Sequence, residues 1–240
     1  MSTVNSEPSR EVELRSKVDS TAVRLKRRAP LSRERILEAA LALADADGLE
    51  ALTMRRLARA LGFEAMSLYY YAPNKDDIID GIVDLVVREI ELPSPTGDWK
   101  TAIRASAVSA HQVLRRHPWA CNPLMSTPRL LPSRLRLIDA LLGRLADAHL
   151  PSDLADRAYH AIDSHILGFT LWEAGYSVAL RDIPPDALAK VVEDLGVEAY
   201  PHLMAHVAFH ERRPGAGQKP PFEFGLDLIL DGLERTRDSA

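Results

Sequence analysis

Apolar residues recur at helical spacing in nearly every segment of this chain, and this periodicity constrains the fold more than any other feature. The first stripe consists of Ile36, Leu37, Ala40, Leu41 and Ala44. No run of alternating apolar and polar residues requires a β-sheet. With 240 residues, the chain is long enough for a small domain and a larger one. The sequence therefore predicts an all-α fold.

Helix-breaking residues divide the chain into three parts. Residues 1–30 are polar and charged without sustained periodicity, which is typical of a flexible arm. The segment LPSPTGD at 92–98 is dense in Pro and Gly, and its last residue, Asp98, can cap the helix that follows. We therefore predict a basic arm over 1–30, a small helical domain over 31–92 and a larger helical domain over 98–240.

The small domain is predicted to contain a helix-turn-helix. Thr53 can cap a short helix that Gly62 ends. A second short helix spans about 64–71, because Pro73 disfavours helical geometry in the residue before it. A connecting helix over 74–91 follows. Two short helices joined by a three-residue turn allow the second to enter the major groove, so we expect this domain to bind DNA.

The formal net charge of −4 is unevenly distributed along the chain. Residues 21–60 carry nine Arg or Lys side chains against five Asp or Glu, and such local positive charge favours binding to phosphates. Residues 1–30 contain no apolar run of signal-peptide length, and no later stretch approaches about twenty uncharged apolar residues. We therefore expect a cytoplasmic protein whose partner is double-stranded DNA and not a membrane.

Exposed side chains in 64–71 need a partner surface. The segment reads EAMSLYYY, and only Leu68 is expected in the core, supported by Phe63. One of the three tyrosines is expected to cover the first helix, which leaves two tyrosines and Met66 exposed. A tyrosine hydroxyl can donate a hydrogen bond to a phosphate, and Ser67 can reach either a base or the backbone. The segment therefore has the chemistry of a recognition helix.

The segment MRRLARALGFEAMSLYYYAPNKDDIIDGI at 54–82 resembles the DNA-binding motif of the TetR family of repressors. Its Leu-Gly turn, Ser-Leu-Tyr core and Asn-Lys pair occur at that family's spacing. The resemblance implies that Ala65, Met66, Ser67 and Tyr70 face base edges, with Arg55 able to do so, and that Thr53, Tyr69 and Lys75 hold phosphates. With a further arginine and the basic run of the arm, the predicted DNA contacts are Arg24, Lys26, Arg27, Arg28, Thr53, Arg55, Arg56, Ala65, Met66, Ser67, Tyr69, Tyr70 and Lys75.

Two further segments resemble the tetracycline repressor subgroup of that family. PPFEFGLDLILDGLERT at 220–236 looks like its last helix, and SHILGFTLWE at 164–173 resembles its long helix that touches both the dimer partner and the drug. We therefore expect a homodimer with a four-helix interface. Its predicted stripes are Phe222, Leu226, Ile229 and Leu233 in the last helix and Leu154, Ala158, Ala161, His165, Gly168 and Trp172 in the long one.

The larger domain is expected to bind a small molecule. In the resembled subgroup the drug site uses a magnesium ion held by histidine, with an acidic residue acting through water, and His165 and Glu173 match two of those places. No histidine occurs in 120–129, where the subgroup has its other metal-contacting one. We therefore expect no cofactor and no protein metal site, with Mg²⁺ entering alongside the ligand as the less favoured alternative. The candidate ligand-binding residues are His111, Gln112, Trp119, Asn122, His165, Trp172, Glu173 and Tyr176.

These features predict a ligand-responsive transcriptional repressor that binds a palindromic operator as a dimer and is released by a small molecule. One alternative is a DNA-binding dimer without a ligand. Another is an all-helical enzyme that uses Asp163, His165 and Glu173, but the sequence has no glycine-rich phosphate loop, nucleophile motif or paired-carboxylate signature. The single cysteine, Cys121, excludes an internal disulfide and lacks neighbours at zinc-ligand spacing. We therefore expect no enzymatic activity.

Overall fold

The computed structural model describes residues 30–126, 130–181, 200–202, 205 and 219–239, with 176–181 described by their backbone only. All regular structure in these ranges is helical, so the fold is all-α, as the periodicity predicts. Helices α1 to α9 span Arg33–Asp47, Met54–Leu61, Ala65–Leu68, Lys75–Arg88, Trp99–Arg116, Cys121–Ser126, Pro132–Asp147, Ser152–Arg181 and Pro221–Asp238. Short 3-10 turns at Leu49–Ala51 and Pro118–Ala120 precede α2 and α6. None of the described helices is long and apolar enough to cross a membrane.

Side-chain caps fix where the N-terminal helices begin. The cap residues of α1, α2 and α4 are Ser32, Thr53 and Asn74, and each side chain accepts a hydrogen bond from a backbone N–H in the first turn, at 3.3, 3.2 and 2.8 Å. These bonds satisfy N–H groups that have no partner within the helix. Gly62 ends α2 in the left-handed region, at φ 75°, where a side chain would be strained. The turn between α2 and α3 is therefore set by local sequence.

Two helices are shorter than their sequence pattern predicts. The four-residue α3 stops at Leu68, and the N–H of Tyr71 bonds the Leu68 carbonyl at 2.9 Å in a non-helical turn. Helix α4 ends at Arg88, three residues before the predicted end. There the Ser106 hydroxyl donates to the carbonyl of Glu91 at 2.6 Å, so the chain leaves the helix to contact α5. Tertiary contacts therefore decide where α3 and α4 end.

One connected apolar core runs through the described residues. Helix α4 packs against α1 on one side and against α5 and α7 on the other, and α8 packs against α5, α7 and α9. Among the fully buried side chains are Leu57, Ile82, Ile103, Ile162, Leu226 and Leu230. A displacement of α4 is therefore felt both by the first three helices and by the larger helical domain.

The predicted dimer stripes divide between the inside and the outside of the subunit. Phe222, Leu226 and Ala158 are buried within the core, so this part of the prediction is wrong. The large apolar residues that α9 does expose are Phe224 and Leu228, at 58% and 56%. Packing within one chain and packing between two chains follow the same helical period, so the sequence pattern cannot separate them.

Candidate nucleic-acid interface and ligand cavity

Helix α3 and the turn that follows it present large side chains to solvent. Met66 and Tyr70 are 77% and 88% exposed, and Ser67 and Tyr69 are exposed beside them. Leu68 is fully buried and holds the helix to the core, as predicted. Exposed apolar and aromatic side chains at this density are typical of a surface that another molecule covers.

The third tyrosine of the segment has a structural role. Tyr71 is half-buried and packs against the core. Its backbone carbonyl accepts a hydrogen bond from the Arg33 guanidinium at 3.0 Å, and the same guanidinium forms an ion pair with Asp77 at 2.5 Å. Helices α1 and α4 are thus tied to the end of the α3 turn. This anchoring fixes the direction in which α3 points.

The predicted phosphate contacts on α2 and α4 also have partners within the chain. Arg55 is exposed, whereas Arg56 pairs with Asp47 of α1. The Lys75 ammonium donates to the carbonyl of Leu49 at 3.2 Å. An ammonium carries three N–H donors, so this contact leaves donors for a phosphate. The remaining predicted residues of this surface are Thr53, which is exposed, and Ala65, which is half-buried. Arg24, Lys26, Arg27 and Arg28 lie outside the described residues.

A groove of about 200 Å³ lies between α5, α8 and the start of α9. Four of the predicted ligand-binding residues lie along it: His111, Gln112, Trp172 and Glu173. The sequence did not single out the other lining side chains, which are Val108, Arg115, Phe169, Pro220, Pro221, Phe222 and Glu223. Apolar and aromatic walls with a few polar groups are typical of a small-molecule site.

His111 is the most buried polar group of the groove. Its ring stacks on Phe222, with the centroids 3.9 Å apart, and its Nδ1 lies 2.9 Å from the Thr170 hydroxyl. Nε2 lies 3.4 Å from a carboxylate oxygen of Glu173. Burial lowers the pKa of His111 to about 4, and the charge of Arg115 contributes in the same direction. The imidazole is therefore neutral at pH 7.

His165 lies next to this groove without lining it. Its Nε2 is 2.9 Å from the backbone carbonyl of Phe222, so that nitrogen must carry a proton and donate it. The ring stacks on Phe222 at 4.9 Å between centroids. A nitrogen that donates its proton cannot ligate a metal, so only Nδ1 of His165 keeps a lone pair, and His165 does not line the groove beside Glu173. Within the described ranges, no group of three or more His, Cys, Asp or Glu side chains is placed to hold a metal ion.

Two predicted ligand-binding residues that the structure describes, Trp119 and Asn122, do not join the groove. The Trp119 indole donates to Asp45 of α1 at 2.7 Å, and His117 contacts the same carboxylate at 2.7 Å. These contacts link α1 to the end of α5, which explains why Trp119 is buried elsewhere. Asn122 is exposed on α6 and does not line the groove, and the side chain of Tyr176 lies outside the described part of the chain.

The residues of the enzyme alternative do not converge. Asp163 forms an ion pair with Arg134 at 2.6 Å. Both residues line a separate apolar cavity, bounded by Ile90 and helices α5, α6, α7 and α8, whereas Glu173 lines the groove. An acid–base or metal-dependent reaction would need these groups around one substrate.

Comparison with known proteins decides the family. The model "Tetracyclin repressor-like, C-terminal domain" matches residues 92–237, and the model "Bacterial regulatory proteins, tetR family" matches residues 36–82. The chain belongs to the TetR family. It is a DNA-binding transcriptional regulator and not an enzyme, which confirms the resemblance seen in the helix-turn-helix segment.

Curated relatives of this TetR family member are repressors. The HTH-type transcriptional repressor DrrR1 of Streptomyces coeruleorubidus is 35% identical over 218 residues, which cover 85% of this chain and 77% of that protein. The class C tetracycline repressor protein of Escherichia coli is 27% identical over 210 residues, which cover 86% of this chain and 92% of that protein. At 85% and 86% of this chain, both matches extend through the larger helical domain as well as the helix-turn-helix.

Solved structures show the same fold with small molecules bound. ActR, a TetR family protein of Streptomyces coelicolor in complex with actinorhodin, is 26% identical and matches with a TM-score of 0.69. The match covers 87% of this chain and 99% of that chain. The apo form of ActR matches with a TM-score of 0.70 and 26% identity over 88% of this chain and 98% of that chain. The TetR-family fold of this chain is thus compatible with both ligand-free and ligand-bound relatives.

Proposed function

We propose that this regulator is a cytoplasmic repressor that binds a palindromic operator as a homodimer and releases it when a small molecule enters the sensor domain. The observation that carries the proposal is the surface formed by α3 and the turn after it, where Met66, Ser67 and Tyr70 point to solvent from a segment that is anchored to α1 and α4. A recognition helix this short contacts only a few base pairs. A second copy on the same duplex is therefore needed for affinity.

The side chains of α2, of α3 with the turn after it, and of the start of α4 form a surface that we call the reading surface. Each of them has a proposed role. Ala65, Met66, Ser67 and Tyr70 contact base edges, where a methionine packs against thymine methyl groups and a hydroxyl bonds a base. Arg55 is long enough to reach a guanine edge. Thr53, Arg56, Tyr69 and Lys75 contact phosphates and set the register. The basic arm, with Arg24, Lys26, Arg27 and Arg28, enters the adjacent minor groove.

The exposed faces of α8 and α9 support dimerisation. Phe224 and Leu228 follow one face of α9, and Trp172 is exposed on α8. A Cβ added at Gly168 or Gly232 would meet no atom of the described residues within 4 Å, so both glycines permit close approach of a second chain. Two such helices from each subunit form a four-helix interface. In the proposed dimer the two α3 helices lie roughly 34–36 Å apart, which is one turn of DNA.

Helix α4 is the proposed lever between ligand and operator. It packs against α1 of the small helical domain (31–92), which we call the reading domain. It also packs against α5 and α7 of the larger domain (98–240), which we call the sensor domain. A ligand that binds better to a state with wider separation of the α3 helices shifts the dimer toward that state and releases DNA. The complex of ActR with actinorhodin supports a small-molecule ligand for a chain of this fold.

Selection from a random pool of duplexes tests the operator and the dimer together. At about 0.15 M salt, we expect enrichment of an inverted repeat with half-sites one helical turn apart. The variant Leu228→Glu is expected to sediment as a monomer and to lose operator affinity while its helical content is retained. Enrichment of a single unrepeated site, or a monomeric wild-type protein, would overturn the proposal.

A further inference from the structure

Met66 places a thioether on the reading surface. Of the methionines that the structure describes, Met54 is half-buried and packs against the core, whereas Met66 and Met125 are 77% and 54% exposed. A methionine usually fills an irregular gap in an apolar core. Met66 has no such packing role, since the buried residue of α3 is Leu68. Its thioether is therefore accessible to small reagents in the solvent.

An exposed thioether is a target for two-electron oxidants of the peroxide class. The sulfur lone pair attacks one oxygen of hydrogen peroxide, an S–O bond forms and the O–O bond breaks. The departing hydroxide takes the proton from the transferred oxygen and becomes water. The sulfur is thereby oxidised by two electrons to the sulfoxide, and the peroxide is reduced.

The cysteine of the chain is not available for a competing reaction. Cys121 is the single cysteine, it is fully buried, and burial raises the pKa of its thiol to about 11. The thiolate is the nucleophilic form of cysteine, and at neutral pH it is scarce when the pKa is this high. Among the described residues, a peroxide therefore meets the exposed methionines first.

Oxidation changes what Met66 offers to DNA. The proposed contact of this side chain is apolar, with the methyl groups of thymine. A sulfoxide is polar, and its oxygen only accepts hydrogen bonds. A thymine methyl group donates no hydrogen bond to that oxygen, and the negative phosphates repel it. An acceptor that loses water without gaining a donor weakens binding.

The fold is insulated from this change. Leu68 is fully buried and holds α3 to the core, and the Arg33 guanidinium donates to the carbonyl of Tyr71 at 3.0 Å. Neither contact involves the side chain of Met66. Oxidation of Met66 therefore acts on DNA binding and not on folding.

We propose that Met66 is an oxidation site, and that its conversion to the sulfoxide by a peroxide releases the regulator from its operator. The oxidant acts directly on the reading surface, so this response is independent of any ligand of the sensor domain. The inference rests on the proposed function, since Met66 must lie in the operator interface. Reduction of the sulfoxide by a methionine sulfoxide reductase restores the thioether and with it operator binding.

Peroxide treatment of the full chain tests this site. The wild-type protein is treated with hydrogen peroxide until peptide mass spectrometry shows Met66 as the sulfoxide. Its affinity for the selected operator is then measured by fluorescence anisotropy. We expect about a tenfold loss of affinity with an unchanged melting temperature. Met66→Leu keeps an apolar side chain of similar size without sulfur, so it should bind the operator before treatment and lose no affinity afterwards.

A second exposed methionine provides the matched control. Met125 lies on α6, outside the reading surface, so Met125→Leu should lose affinity on treatment as the wild type does. Bound operator should protect Met66 from oxidation but not Met125. An unchanged affinity of the oxidised wild type, an equal loss in Met66→Leu, or no protection of Met66 by operator would overturn the proposal. Untreated wild-type protein that selects no operator would instead contradict the proposed function.

Discussion

The reading surface and the groove both present polar groups that lack a hydrogen bond to the described residues, but in opposite environments. Ser67 on α3 and Tyr70 in the turn after it are exposed, so water can satisfy their hydroxyls. In the groove, Oε2 of Glu173 is buried and accepts no hydrogen bond from the described residues, although Arg115 lies 3.4 Å away in an ion pair. A buried unsatisfied acceptor costs about 1–3 kcal/mol of stability, whereas an exposed one costs almost nothing. The reading surface can therefore change without affecting the fold, and the groove cannot.

Substitutions at the reading surface should have the largest effect, and they should lower operator affinity without changing stability. In Met66→Ala/Tyr70→Ala, we expect operator affinity to fall about 100-fold, or about 3 kcal/mol, because contacts to the base edges are lost. The melting temperature should stay unchanged, since both side chains point to solvent. Fluorescence anisotropy on the selected operator and thermal melting measure the two quantities. Leu130→Ala, at a residue that is 79% exposed outside this surface, serves as the control and should change neither.

The free energy of unfolding should fall in acid because His111 is buried in the groove. The folded-state pKa of His111 is about 4, below its ordinary value of 6.5, so between these two values the unfolded chain binds more protons than the folded one. The stability contributed by the neutral ring is complete above pH 6.5 and is lost as pH falls toward 4. We expect a loss of about 2 kcal/mol, measured by urea unfolding.

The acid response should belong to His111 and not to the groups packed around it. Those groups are Arg115 on α5, His165 and Glu173 on α8, and Glu223 on α9. His111→Phe keeps a ring on Phe222 and should flatten the pH dependence over this range. The same slope in the variant and the wild type would contradict the assignment.

The contact between α1 and the segment after α5 should have an intermediate effect on stability. Trp119→Phe removes the N–H that donates to Asp45 but keeps an aromatic side chain in the core, and we expect a loss of about 1.5 kcal/mol in unfolding free energy. A double-mutant cycle with Asp45→Asn isolates the contribution of this bond. Additive losses in the cycle would show that the bond does not link the regions.

The smallest expected effect concerns a local cap of the reading domain. Thr53→Ala removes the side-chain bond to the first turn of α2 and should lower stability by about 1 kcal/mol, measured by urea unfolding. Thr53→Ser keeps the hydroxyl and should restore most of the loss. A larger loss for Thr53→Ala than for Trp119→Phe would reverse the expected order.

The reading domain could be predicted because its determinants are local. The caps Ser32, Thr53 and Asn74 act within three residues, and Gly62 ends α2 by its own backbone conformation. The sequence therefore indicated the helix-turn-helix and the exposed residues of α3. The shortened α3 was missed because its end depends on how the chain packs and not on its helical pattern.

The groove could be predicted only in part because its contacts are distant in sequence. His111 meets Thr170 across 59 residues and Phe222 across more than 100, and no local pattern records such pairs. Trp119 was expected beside the ligand, but it bonds Asp45, 74 residues earlier. The stripe containing Phe222 and Leu226 was assigned to a dimer interface because its period does not say which surface covers it.

The four-residue length of α3 has a consequence for how regulators of this kind diversify. The side chains of Met66 and Ser67 point outward, while Leu68 and the Arg33–Asp77 pair hold the backbone in place. A duplicated gene can therefore acquire a new target promoter through two or three substitutions, and its response to the original small molecule is inherited intact. Conversely, a promoter and its reader can stay matched while the sensor adapts to a different metabolite.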